Sequence, residues 1–177
     1  MSYYVCLFCP KNILRKNRVA NIIYMTINGK KQGLISAGCS TYDSIGNKYQ
    51  EEHKDKILIY AVDHDISREQ NVNHQPIVIT KPIDKSSPLL GVAISSNESL
   101  NCEIDIYRNS SSGGLEKFYS MKLTNATIKN ISIHYPNSLN HNDMQPYECI
   151  TISYDSITWT HHTAGTSGYS IREDNVF

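Results

Sequence analysis

The chain has 177 residues, and its 17 lysine and arginine residues balance its 17 aspartate and glutamate residues, so the formal net charge is zero. This length favours a single domain. The charge balance gives no support for binding to nucleic acid or to an anionic membrane surface, since both need a basic excess. A near-neutral surface also favours self-association. No apolar run approaches the roughly 20 residues of a membrane-spanning helix, so membrane insertion is not expected.

The cysteines and the first residues bear on where the chain folds. Five cysteines are spread along the sequence, at Cys6, Cys9, Cys39, Cys102 and Cys149. An odd number at wide spacing predicts reduced thiols that pack as small apolar side chains. The apolar stretch near the N-terminus comes before its positive charges, the reverse of the order in a secretory signal peptide. Folding in the cytoplasm without a signal peptide is therefore expected.

Short strand-like runs separated by turn residues dominate the chain, as in all-β sandwiches and barrels. Residues 22–27 predict a first strand, and Asn28-Gly29 directly after them predicts a hairpin turn. The segment 32–41 then predicts the return strand. The polar segment 41–55 predicts a long loop. Loops of this length usually carry a function or make contacts, because something must offset the entropy cost of ordering them.

The middle of the chain combines strands with one helix. Residues 56–66 predict a strand whose alternate side chains share one face, namely Leu58, Tyr60, Val62, His64 and Ile66. Residues 76–81 predict the next strand. Ser87 at the N-cap position, with Pro88 at the first helical position, predicts a helix. Its apolar face consists of Leu89, Leu90, Ala93 and Ile94.

The remainder returns to strand patterns. Residues 100–108 predict one strand, 116–135 two strands joined near Thr124-Asn125, and 148–160 the last strand, whose Trp159 is expected to lie in the core. Between the last two regions, residues 136–146 predict a second polar loop. One helix among about eight strands predicts a mainly β, antiparallel barrel or sandwich.

The stretch after the last predicted strand offers candidate chemistry. Gly165-Thr166-Ser167-Gly168 is one residue short of the G-x-S-x-G nucleophile elbow, and the elbow needs a strand-turn-helix context in an α/β sheet. His161 and His162 are adjacent, so on a strand they point to opposite faces and cannot chelate one ion. A small β-barrel hydrolase that uses Ser167 with His161 or His162 stays open as an alternative. A monomeric β-sandwich binding module is another.

Other motifs give still less support for catalysis or metal binding. In Asp63-His64-Asp65, alternation places His64 on the face of Val62, so we expect a buried histidine bonded to a neighbouring strand. Cys6 and Cys9 have half of a zinc-ribbon spacing, but no second pair stands at a matching distance. We therefore expect no catalytic residues, no metal and no cofactor.

The order of the motifs is more specific than their chemistry. The sequence resembles the haemolysin-coregulated protein (Hcp) family, the inner-tube subunit of the bacterial type VI secretion system. The resemblance lies in ANIIYMTINGKKQGLISAGCSTYDSIGNKYQ, ISREQNVNHQPIVITKPIDKSSPLL, EKFYSMKLTNATI and ITWTHHTAGTSGYS, and it runs from about Ala20 to Ser170.

This resemblance implies a compact antiparallel β-barrel with one side-packed α-helix, related in fold to phage tail tubes. It implies a non-enzymatic structural subunit that forms stacked homohexameric rings. A contracting sheath, with a spike and baseplate, would expel the tube into a target cell. Small effector proteins would be carried and chaperoned in the lumen. The subunit would thus be made in the cytoplasm and secreted through the type VI apparatus.

The resemblance also implies domain limits and a contact loop. Residues 1–19 form an N-terminal extension, 20–170 the Hcp-like barrel, and 171–177 a short tail without room for a toxin domain. We hypothesise that Val19 is the true initiator, because GTG encodes valine and also starts bacterial genes. By position, the 41–55 loop matches the family's extended loop, which reaches neighbouring subunits or rings. Its expected subunit-contact residues are Asp43, Gly46, Asn47, Tyr49, Gln50 and His53.

Overall fold

The computed structural model describes residues 21–110, 113–140 and 145–172. The predicted extension 1–19, with Cys6, Cys9 and Val19, lies outside the described residues, as does most of the predicted tail. The described ranges contain twelve strands and two α-helices. Neither of these helices combines the length and the apolar character needed to cross a bilayer.

The elements follow one another as mostly short strands. The strands are β1 (Ile22–Gly29), β2 (Gly33–Leu34), β3 (Ile57–Ile59), β4 (Ala61–Asp63), β5 (Ile66–Arg68), β6 (Val72–His74), β7 (Ile77–Pro82), β8 (Leu100–Asn109), β9 (Leu115–His134), β10 (Tyr147–Ser153), β11 (Ser156–His161) and β12 (Thr166–Ile171). The helices are α1 (Tyr42–Ile45) and α2 (Ser86–Ser95), and two 3-10 turns span Gly46–Lys48 and Glu51–His53.

Antiparallel pairing joins these strands into two connected sets. In the first set β8 lies between β1 and the first half of β9, β3 pairs with β1, and β11 joins β9 to β12. In the second set the order is β9-β10-β7-β4, through the second half of β9. The 20-residue strand β9 therefore belongs to both sets. On the other side, β3 and β4 are separated by Tyr60 alone and pair with β1 and β7.

The hydrophobic core lies between these two sets and α2. It is rich in β-branched residues, which suit a pleated surface, and its members include Met25, Ile27, Ile57, Ile59, Ile77, Ile79, Leu90, Ala93, Leu100, Ile104, Leu123, Ile150, Ile152 and Ile157. The prediction of a mainly β, antiparallel fold is confirmed. Among the described cysteines, Cys39 and Cys102 are buried free thiols and Cys149 is a partly buried one, in agreement with the sequence.

The predicted strand 56–66 is interrupted, and its predicted inward face is partly wrong. Ile57 and Ile59 are buried, whereas Tyr60 is 42% exposed. The backbone N–H of Tyr60 donates to the Thr80 carbonyl at 2.7 Å, where the chain leaves β1 and joins β7. Side chains alternate strictly along a strand, so the change of pairing partner at Tyr60 exchanges the inward and outward faces of the chain. Beyond it, Val62 packs on the core as predicted.

The first hairpin also differs from the prediction. Asn28 and Gly29 are the last residues of β1 and pair with Leu34 and Gly33, so the turn lies at residues 30–32. The return strand is only two residues long, and residues 35–40 form turns. The turn is displaced because a distant carboxylate holds it: Glu98 accepts the backbone N–H groups of Lys31 and Gln32.

The helix begins at Ser86, one residue before the predicted N-cap Ser87. Its first N–H is bonded by a side chain from outside the helix, since the Asp84 carboxylate accepts the Ser86 N–H at 2.8 Å. The predicted apolar face is confirmed: Leu90 and Ala93 are buried, and Leu89 and Ile94 pack against the core.

The C-terminal strands were predicted with the wrong boundaries. Residues 115–134 form one continuous strand, because Asn125 takes a positive φ of 51° and bends the strand without ending it. Residues 148–160 are instead divided between β10 and β11. The turn after β11 leads into β12, a further strand beyond the predicted last one. Trp159 packs against the core from β11, as expected, while staying partly exposed.

Candidate subunit-contact loop

The 41–55 loop is closed at its base by hydrogen bonds between its two ends. The Ser40 hydroxyl donates to the Lys56 carbonyl at 2.6 Å, and the Ser40 N–H donates to the Lys54 carbonyl at 3.0 Å. The Asp55 carboxylate accepts the Gly38 N–H at 2.9 Å. Between these ends the chain forms α1 and the two 3-10 turns. Short helical turns satisfy backbone groups that a loop outside any sheet would leave unpaired.

The tip of the loop is bonded to three other parts of the chain. The Lys48 ammonium donates to the Tyr60 hydroxyl at 2.6 Å and to the Gln145 side-chain carbonyl. The same ammonium lies 5.1 Å from the centre of the Tyr60 ring. The Ser44 hydroxyl accepts the Lys85 N–H at 3.0 Å, just before α2. The loop is therefore an ordered surface of the chain.

Five of the six predicted contact residues are accessible on this surface. Asp43, Asn47 and Tyr49 are exposed, and Gly46 and Gln50 are partly exposed. Gly46 has φ 61° and ψ −140°, a backbone conformation that is open essentially to glycine alone. Glycine at this position allows the chain to pass from α1 into the first 3-10 turn.

The sixth predicted contact residue, His53, makes its contacts within the chain itself. It is 8% exposed, and its ring centre lies 4.2 Å from that of Tyr24 and 5.0 Å from that of Tyr107. Burial lowers the pKa of His53, with the Lys56 ammonium as a second cause. His53 therefore anchors the loop on the outer face of the β1-β8 sheet.

The loop around His53 also covers the Asp105 carboxylate, which strand alternation would place in solvent. Asp105 is almost fully buried, and it pairs with Lys56 at 2.7 Å and with Lys117 at 3.3 Å. Burial beside Tyr107 raises the pKa of Tyr24 to about 12. The loop thus creates a second buried layer, aromatic and ionic, on a sheet face that the sequence pattern marks as exposed.

A cleft of about 540 Å³ lies beside the loop. Its walls are Ser44, Ile45, Asn47, Lys48, Pro82, Ile83, Tyr135, Gln145 and Pro146. Several large apolar side chains at or near it face solvent, including Tyr42, Tyr49, Ile83 and Tyr135, which is 72% exposed. Exposed apolar residues grouped in this way mark interaction surfaces. The sequence did not predict Ile83 or Tyr135 as part of the surface, because they come from segments outside the loop. Lys48 lies within the loop but was not among its predicted contact residues.

The structure does not assemble the hydrolase constellation considered from the sequence. Ser167 is exposed on β12, where it lies opposite Thr160. His161 accepts the Ala164 N–H at 3.1 Å, and His162 is bonded to the Ser120 hydroxyl at 2.9 Å. Within the described ranges, no hydrogen bond joins Ser167 to either histidine.

Two polar clusters in the core were not predicted. Lys81 is fully buried between Asp84 and Glu148. The Tyr154 hydroxyl lies 2.6 Å from a ring nitrogen of His64 and 3.1 Å from one of His74. The expected hydrogen bond of His64 is therefore present, but its ring is only partly buried, its partner lies between β10 and β11, and the link to His74 was not predicted. In the part of the chain that the structure describes, no group of three or more His, Cys, Asp or Glu residues is placed to hold a metal ion.

The sequence of this chain matches one protein family. Residues 24–161 match the family described as "Type VI secretion system effector, Hcp". The "Major exported protein" of Pseudomonas aeruginosa is 39% identical, over 85% of this chain and 94% of that protein.

Two solved structures have the same fold. The secreted protein Hcp3 from Pseudomonas aeruginosa superimposes with a TM-score of 0.80 at 40% identity, covering 88% of this chain and 100% of that one. A crystal structure of an Hcp protein gives a TM-score of 0.81 at 35% identity, with 87% and 99% coverage. The chain therefore belongs to the Hcp family of the type VI secretion system.

Proposed function

We propose that this chain is the tube subunit of a type VI secretion system and that it has no catalytic role. Six copies form a ring, rings stack into a tube, and the tube is expelled into a target cell. The observation that carries the proposal is the family match across residues 24–161, together with near-complete coverage of relatives called exported or secreted. The sheath, spike, baseplate and small effector proteins are the partners that this role requires.

The strand connectivity supports a closed barrel as the subunit's shape. Strand β9 serves both strand sets, and residues 57–63 pair with β1 on one side and with β7 on the other. Closure would remove the free edges of the strands that form the barrel, which sheets otherwise expose to non-specific pairing. Among the described strands β12 would keep one free edge, since it pairs only with β11. A closed barrel would also be a rigid unit for a tube that transmits force.

The 41–55 loop and its cleft are the proposed surface for contact with another copy. The loop is held by Ser40 at its base and by Lys48 at its tip, so little entropy would be lost when it binds. The neighbouring Ile83 and Tyr135 offer apolar area, while Asp43 and Lys48 supply opposite charges. A mixed surface of this kind suits an interface between copies of a chain whose net charge is zero.

Light scattering after size exclusion, with electron microscopy of the same fractions, tests the proposal. A wild-type particle near six times the subunit mass of 20.0 kDa, seen as six-fold rings, is expected. A strict monomer at high concentration would contradict the tube function itself.

Two variants test the loop separately. Tyr49→Asp places an unpaired carboxylate on the proposed contact surface and should dissociate rings or stacks while the circular dichroism spectrum stays unchanged. Lys129→Asp, at an exposed position in the second half of β9, is the control and should assemble normally. Rings and stacks that survive Tyr49→Asp would show that the contacts lie elsewhere.

A further inference from the structure

The hairpin formed by β5 and β6 is the least supported part of the described fold. These strands pair only with each other within the described ranges. All residues from Asp65 to Asn73 are exposed, including the apolar Ile66 and Val72. A backbone bond from the Gln75 N–H to the Asp65 carbonyl, at 3.1 Å, closes the base. We call residues 66–74 the finger.

Two histidines at the base of the finger attach it to the body. His64 comes just before β5, and His74 is the last residue of β6. Each has a ring nitrogen against the Tyr154 hydroxyl, at 2.6 Å and 3.1 Å. The other ring nitrogen of His74 lies 2.9 Å from the Ser170 hydroxyl on β12. Tyr154 is itself buried in the core, so it is a fixed point for both rings.

The hydrogen bonds to the Tyr154 hydroxyl can all form only when at least one of the two imidazoles is neutral. A neutral imidazole has one N–H and one acceptor nitrogen, and a phenol has one O–H and two lone pairs. Tyr154 can therefore donate to His74 and accept from His64, while His74 donates to Ser170. If both rings are protonated, every ring nitrogen becomes a donor. The Tyr154 hydroxyl hydrogen then has no imidazole acceptor, and two cations share one hydroxyl.

The charges around the cluster oppose protonation as well. Burial lowers the pKa of His64, and the neighbouring His74 lowers it further. Burial also lowers the pKa of His74, with the Arg172 guanidinium as a second cause. The Asp65 carboxylate acts on the pKa of His64 in the opposite direction.

We propose that the His64–Tyr154–His74 cluster is an acid-sensitive clamp that holds the finger at neutral pH and releases it as the pH falls. The sign follows from linkage. In the released finger both histidines return to an ordinary pKa of about 6.5, so the released state binds more protons than the clamped one below that pH. Release is therefore favoured by acid, and the clamp is at full strength above about pH 6.5. This is a property of a single subunit and does not rest on ring formation.

Hydrogen exchange followed by mass spectrometry tests the clamp at pH 7.5 and pH 5.0, with labelling times scaled to the intrinsic exchange rates. Protection of the finger should be clearly lower at pH 5.0 than at pH 7.5, because the released state binds the additional protons. Strand β1 is the internal reference and should not change. Light scattering at both pH values establishes that the assembly state is the same. Equal finger protection at both pH values would overturn the proposal.

The single tryptophan provides a second readout. The ring of His64 lies 6.4 Å from that of Trp159, and a protonated imidazole quenches indole fluorescence at short range. A fluorescence step with a midpoint below pH 6.5 is expected in the wild type. His64→Gln should remove the step, whereas the control His161→Gln, two residues from Trp159 but outside the cluster, should keep it. The reverse result for the two variants would assign the titration to His161 and overturn the clamp.

Discussion

Replacement of Lys81 by methionine tests the buried ion cluster beneath α2. The Lys81 side chain is fully buried. Its ammonium donates to the Asp84 carboxylate at 2.8 Å, to the Pro82 carbonyl at 2.9 Å, and to the Glu148 carboxylate. Methionine keeps most of the aliphatic volume and removes the charge. The variant therefore leaves the buried carboxylates of Asp84 and Glu148 without a cation, each still bonded to neutral serine donors.

The expected loss is large because the remaining partners are stranded. Breaking a buried ion pair by removing one partner costs about 3–5 kcal/mol. For a domain of this size each kcal/mol lowers Tm by about 2–4 °C, so Tm should fall by about 6–20 °C. The exposed Lys122 on β9 gives the matched control, and Lys122→Met should change stability by less than about 0.5 kcal/mol.

Chemical denaturation at one fixed protein concentration is the suitable assay, because association of subunits also changes the apparent stability. Combining Lys81→Met with Glu148→Gln should restore part of the lost free energy, since one stranded carboxylate becomes a neutral amide. A loss below about 1 kcal/mol for Lys81→Met would refute the reasoning, because it would mean that the cluster is hydrated or rearranged in solution.

Two further substitutions test the first hairpin. Gly29→Ala should lower the free energy of unfolding by about 1–3 kcal/mol, because the new Cβ would lie 2.5 Å from a carboxylate oxygen of Glu98. Gly91→Ala in α2 is the control, since a Cβ there meets nothing within 4 Å. It should raise the free energy of unfolding by about 0.5–1 kcal/mol. Thermal denaturation compares the two, and equal effects would argue against the close approach. Glu98→Gln should cost about 2 kcal/mol at pH 7. Burial raises the pKa of Glu98, but the hydrogen bonds from Gln32 and Lys31 outweigh it and lower the pKa overall. The carboxylate therefore stabilises the fold above about pH 4.5, and the difference from wild type in urea unfolding should shrink as the pH falls through its lowered pKa; a difference that is constant with pH would contradict this.

The candidate site was predictable as a segment but not as a surface. Polar composition and length mark residues 41–55 as a functional loop, and the resemblance to the Hcp family selects contact residues within it. Neither can show that His53 turns inward onto Tyr24, or that Ile83 and Tyr135 join the loop around one cleft. Those outcomes depend on contacts between segments far apart in the chain, for which local periodicity carries no signal.

The sequence by itself determined the strand-rich class, the first strand, the helix with its apolar face, and the family. Each of these features follows from a local pattern in the sequence: the two-residue period of strands, the 3.6-residue period of helices, or the order of motifs. Only the tertiary structure decided the rest. At Tyr60 the chain changes its pairing partner from β1 to β7, which exchanges its buried and exposed faces. The Glu98 carboxylate places the first turn at residues 30–32. Asn125 bends β9 so that this one strand belongs to both strand sets. The pairing register and the partner of each strand are settled by burial of the whole core. A shift of one residue turns the opposite face of the strand toward the core, and this is unfavourable only once that face has to pack there.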